Sequence, residues 1–146
     1  MVDMNSYLTL PKSGKGTGVL VLHAWWGLND FFKNFCRCLA DEGFVALAPD
    51  LYHGKIATTI DEARQLRSKT PQKQVKADIL TAVDQLSKLP AVTSTSLGVI
   101  GFSLGAYWAL WLSIEKPEII KAVTVFYGTR NADYSLVQAA YLGHFA

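Results

Sequence analysis

Gly101-Phe102-Ser103-Leu104-Gly105 sets one hydroxyl between two glycines, and its neighbours decide what that hydroxyl can do. Leu97-Gly98-Val99-Ile100 before it reads as a short buried strand, and the residues from about Leu104 onward read as an apolar helix. A serine on a sharp strand-to-helix turn is pushed into a strained backbone conformation. Flanking glycines remove the side chains that would collide across such a turn. Ser103 is thereby offered to substrate as a nucleophile. A bare Gly-x-Ser-x-Gly also occurs as a plain tight turn, but the strand before it and the helix behind it favour the nucleophile. Attack on an ester makes a tetrahedral oxyanion, which needs one donor from the residue after the nucleophile and another from a second loop. The N–H of Leu104 is the first donor, aided by the positive end of the helix dipole.

Other chemistries find little support in the 146 residues. Their formal charge of +2 is spread out without a long basic run, which argues against nucleic acid as a partner. The three histidines, His23, His53 and His144, and the two cysteines show no metal-ligand spacing, so neither metal nor cofactor is expected. Cys36 and Cys38 stand two apart in a helical pattern, point to different sides and are not expected to form a disulfide. The longest nearly apolar stretch, Leu104 to Ile114, is far shorter than the roughly 18 to 20 residues that cross a bilayer, so no membrane span is expected. Met1-Val2-Asp3-Met4-Asn5 lacks the basic start and apolar stretch of a secretory signal, which makes the cytoplasm the expected compartment.

The elements around Ser103 follow an α/β pattern. Strands are expected at Tyr7–Leu10, Gly18–His23, Phe44–Ala48, Leu97–Gly101, Ala122–Tyr127 and Ala139–Phe145, four of them interior. Phe31, Phe35 and Leu39 recur at helical spacing, with Asn29 as cap and Gly43 as stop. Thr59 and Glu62 match a capping box for a short helix to about Ser68. Thr70-Pro71 opens a longer helix with the stripe Val75, Ile79, Ala82, Val83 and Leu86, which Pro90 closes. Alternating strands and helices imply one domain, 1–146, with a mostly parallel sheet covered on both faces.

Three segments then carry a resemblance: Val19-Leu20-Val21-Leu22-His23-Ala24-Trp25-Trp26-Gly27-Leu28, Gly43-Phe44-Val45-Ala46-Leu47-Ala48-Pro49-Asp50-Leu51-Tyr52 and Gly101-Phe102-Ser103-Leu104-Gly105. In order and spacing they resemble the dienelactone hydrolase family of the α/β-hydrolase fold, from about residue 17 onward. The resemblance implies a hydrolase of small carboxylic esters or lactones, with the Trp25 N–H as the second oxyanion donor. It places His23, Trp26 and Tyr52 beside the substrate, with Trp25 and Trp26 as walls of the acyl pocket. Members that open dienelactones carry Cys as nucleophile and a Glu in the loop that here holds Ala24. Ser103 and Ala24 therefore point to the esterase-like branch and away from dienelactone itself.

A serine needs a general base more strictly than a thiol does. In this fold the acid follows the seventh strand and the histidine the eighth. The resemblance places both beyond residue 146, with a C-terminal strand and helix of the fold missing. That leaves a second reading, a non-catalytic domain binding a ligand or partner. Ser103, Asp133 and His144 do occur in triad order, but a histidine in or at the end of a strand cannot easily reach both others, so His144 is expected to hydrogen-bond structurally. His23 either influences the oxyanion loop or satisfies a buried contact, and the second is favoured. His53 is expected at the surface or the cleft rim, Asp50 as the anchor of its loop, and Trp108 and Trp111 in the core or on the domain surface. With Ala139–Phe145 as the last strand, its open edge would favour a homodimer.

Overall fold

The structure of the protein is a computed structural model, described over residues 6–146; Met1–Asn5, and with them the reading of the N-terminus, lie outside the described residues. Six strands form one sheet: β1 (Ser6–Thr9), β2 (Gly18–Leu22), β3 (Val45–Pro49), β4 (Leu97–Phe102), β5 (Ile120–Phe126) and β6 (Ala140–His144). Their order is β1-β3-β2-β4-β5-β6, all parallel except β1, which runs antiparallel to β3. All six expected strands are present, shifted by one or two residues at their ends. β3, β2, β4 and β5 are the four interior ones.

Helix α1 (Asp30–Asp41) covers one face, where Phe32, Cys36 and Ala40 pack on Val21, Ala46, Ala48 and Phe102. Helices α3 (Gln72–Lys88) and α4 (Leu104–Glu115) cover the other, and the expected stripe Val75, Ile79, Ala82, Val83 and Leu86 is buried there beside Leu20, Leu22, Leu47 and Val99. Trp108 and Trp111 belong to that core. Each fully buried Leu or Ile contributes about 1.5–3 kcal/mol relative to leaving it exposed.

Helix ends follow local chemistry. The Asn29 side chain accepts from Phe31 N–H, and Thr59 and Glu62 close a reciprocal capping box on α2 (Ile60–Lys69). Thr70 does not open α3 as its sequence suggests; its hydroxyl donates back to the Leu66 carbonyl and closes α2, so α3 starts after Pro71 without a side-chain cap. Cys36 is buried and Cys38 exposed, both as free thiols.

The strand order fixes where a site can form. From β2 the chain passes through α1 to β3 on one side; from β3 it passes through α2 and α3 to β4 on the other side of β2. The loops leaving the carboxyl ends of β2 and β4 thus diverge to opposite faces and open a crevice between them, where ligands of open α/β sheets bind.

Candidate active site

Both loops at this crevice are held by close backbone packing. A Cβ on Gly105 would lie 2.1 Å from the Leu22 carbonyl oxygen, and one on Gly101 would lie 2.2 Å from that of Gly105. The start of α4 is therefore pressed onto the end of β2 at a distance only glycine allows. Between them Ser103 adopts φ 53°, ψ −109°, a left-handed conformation rare for a residue with a side chain. Its N–H donates to the Phe126 carbonyl at 2.7 Å, and its own carbonyl accepts from Tyr107 in the first turn of α4. The side chain is exposed, and its Oγ makes no hydrogen bond among the described residues.

A cavity of about 300 Å³ opens over Ser103, walled by Trp25, Arg67, Tyr107, Tyr127 and Gly128. The Trp25 and Leu104 N–H groups find no hydrogen-bond partner among the described residues. Tyr127, itself at φ 56° and 65 % exposed, directly follows β5, with its N–H held by the His144 carbonyl.

The other residues singled out from sequence fall in distinct places. Trp26 does not wall this cavity; it packs edge-on against Trp25 and sits with the α1-side core, and its carbonyl accepts from Ala57. His23 does not reach the cavity either, being 1 % exposed. Its Nδ1 donates to the Ala24 carbonyl at 2.7 Å, and its Nε2 accepts from Leu51 N–H at 3.0 Å. Burial lowers its pKa, partly offset by the Ala24 carbonyl and the Asp50 carboxylate. His23 is thus a neutral strut joining the loops after β2 and β3. Asp50 anchors the second loop by accepting from Tyr52 and Gly54 N–H groups. Tyr52 is buried and walls a neighbouring cavity of about 190 Å³ that shares Arg67, Leu104 and Tyr107 with the first.

No triad assembles among the described residues. His53 is exposed and pairs with Asp78 at 2.8 Å. Asp133 is exposed, and its carboxylate accepts from Ser135 N–H, which holds it below the usual carboxylate range. His144 hydrogen-bonds structurally, as its sequence reading has it, but through its carbonyl, which accepts from Tyr127 N–H; its ring, without a hydrogen bond among the described residues, stacks on Phe126 at 4.5 Å. Arg67, Tyr107 and Tyr127 stand outside the motifs that the sequence offers. Tyr127 at least stands at the carboxyl end of a parallel strand, where crevice residues are expected.

Comparison with known proteins bears on the family and the fold. The model of the dienelactone hydrolase family matches residues 4–143. The chain belongs to the dienelactone hydrolase family. "Protein usf" of Aquifex pyrophilus is 36 % identical over 133 residues, which cover 87 % of this chain and 57 % of that protein. A "Putative carboxymethylenebutenolidase" of Aquifex aeolicus is 35 % identical over the same shares. The solved structure of a "Putative Dienelactone Hydrolase" from Klebsiella pneumoniae superposes with a TM-score of 0.78 at 25 % identity, over 94 % of this chain and 65 % of that one. This dienelactone hydrolase family chain therefore spans somewhat over half the length of the curated relatives it matches.

Proposed function

We propose that the protein hydrolyses a small carboxylic ester or lactone through an acyl-enzyme on Ser103. The observation that carries this reading is the strained Ser103 turn, whose unbonded Oγ faces a cavity beside two unpartnered N–H groups. Oγ attacks the carbonyl carbon as its proton passes to a general base, and the Trp25 and Leu104 N–H groups hold the oxyanion. The alcohol then leaves with that proton, and water cleaves the Ser103 ester. Because neither Oγ nor any described histidine is engaged with the other, the reading needs a further general base, for which the longer relatives have room. No cofactor enters these steps, and two free cysteines favour the cytoplasm as compartment.

A fluorophosphonate probe followed by intact mass tests this. One adduct on Ser103, absent in Ser103→Ala, is expected, together with a loss on the order of 10⁶-fold in turnover of an aryl acetate. Failure of the probe to label Ser103 at high concentration in a chain that carries the general base would overturn it. That outcome would favour the second reading, a cleft that binds without turnover, which is motivated by the lack of an acid and a histidine beside Ser103 among the described residues.

A further inference from the structure

The cavity behind Leu104 has a feature that the acyl-transfer chemistry leaves unused. Its walls are Tyr52, Arg67, Val75, Leu104, Tyr107 and Trp108. Tyr52 is 4 % exposed, and its hydroxyl oxygen is sealed from solvent without a hydrogen-bond partner among the described residues. Buried polar groups are nearly always paired, because an unpaired one forfeits its bonds to water. The phenol is also fixed from behind. The His23 ring lies 5.2 Å away, and a Cβ on Gly27 would stand 3.4 Å from Tyr52 Cδ2. The Asp50 carboxylate holds the Tyr52 N–H. Burial pushes its pKa up to about 12, so the hydroxyl keeps its proton and can donate.

Arg67 is the wall shared with the Ser103 cavity. It is exposed and makes no ion pair or hydrogen bond among the described residues, so no such bond fixes its side chain between the two cavities, and its charge acts on the Tyr52 phenol. A volume of about 190 Å³ exceeds the roughly 150 Å³ that accommodates benzene in an apolar cavity. Three aromatic walls, Tyr52, Tyr107 and Trp108, suit a planar guest.

We propose that this cavity is a second pocket of the cleft, taking a ring that carries a hydrogen-bond-accepting oxygen, with the Tyr52 hydroxyl donating to that oxygen. The inference rests on the hydrolase reading only in calling the ring one arm of the ester. Substrates with such an arm gain over plain alkyl esters, and the orphaned hydroxyl acquires its partner when they bind.

Two neutral probes without a scissile bond separate this from catalysis: acetophenone, and isopropenylbenzene, which matches its shape but lacks the acceptor. Titrated into the 15N-labelled chain, both should shift the Trp108 indole signal, with acetophenone binding about 5-fold tighter, as one hydrogen bond provides. Tyr52→Phe should erase that preference and leave isopropenylbenzene binding unchanged. Gln72→Trp, which fills the cavity from an exposed position on α3, should weaken both probes and serves should Tyr52→Phe not fold. Equal affinity for the two probes, a preference that survives Tyr52→Phe, or binding untouched by Gln72→Trp would overturn the proposal whatever Ser103 does with an ester.

Discussion

His23 shows what one buried side chain can impose on a site it never enters. Both ring nitrogens are committed, one donating to Ala24 and the other accepting from Leu51, so only the neutral ring fits. Its pKa is lowered from 6.5 in the folded state by burial, whereas the unfolded chain protonates near 6.5. Below that pH the unfolded state binds the extra proton, so stability is complete above about pH 6.5 and declines as pH falls toward the lowered folded value. The slope approaches about 1.4 kcal/mol per pH unit inside that window. Urea unfolding between pH 7.5 and 5 measures it, and His23→Gln, whose amide can still accept from Leu51, should flatten the decline relative to wild type. An equal slope in both would show that His23 does not titrate as described. The sequence allowed this strut role because a histidine ring often satisfies a buried contact at a strand end. It could not say which of two consecutive tryptophans faces the cleft: Trp25 does and Trp26 does not, since neighbours in a turn point apart and carry no periodicity. Arg67 left no signal either, being one exposed arginine on a polar helix.

Between β4 and α4 the constraint passes from side chains to backbone. Gly105 abuts the carbonyl oxygens of Leu22 and His23, so Gly105→Ala must push α4 off the end of β2 or distort the Ser103 turn. We expect it to destabilise the fold by at least about 3 kcal/mol, in the range of severe overpacking, and to lower Tm in a calorimetric scan. A wild-type Tm in that variant would refute the close approach. This element was the most legible in the sequence, because strand, glycines and helix each require the others. The face opposite α4 was less so. Phe102, Phe126 and His144 lie at matched register on β4, β5 and β6 and stack at 4.7 and 4.5 Å. Such a cross-strand ladder depends on which strands are neighbours, and residues 24 and 18 apart give no local sign of it. Thr70 failed as a helix start for a related reason. Its hydroxyl donates to the Leu66 carbonyl in the last turn of α2, and α3 has no side-chain cap.

At the scale of the whole sheet the two edges differ. On one side β1 closes the order by an antiparallel pairing with β3, as a short strand of four residues. On the other, β6 has all five residues exposed, and Tyr141, Leu142 and Phe145 present apolar surface beside unpaired backbone groups. A parallel strand is ordinarily covered on both faces and paired on both edges, and an apolar edge lacking this is a template for another strand. We propose that two copies pair edge to edge through β6 wherever that edge is open. Light scattering after size exclusion should give twice the chain mass at tens of micromolar and a falling mass on dilution. Leu142→Lys places a charge on an exposed position of that edge, so it should shift the equilibrium to monomer by roughly tenfold or more, with Tm unchanged at dilutions where both proteins are monomeric because Leu142 is already 57 % exposed. A monomer at all concentrations would mean that the β6 edge is not a pairing surface. A dimer insensitive to Leu142→Lys would place the contact elsewhere on the molecule.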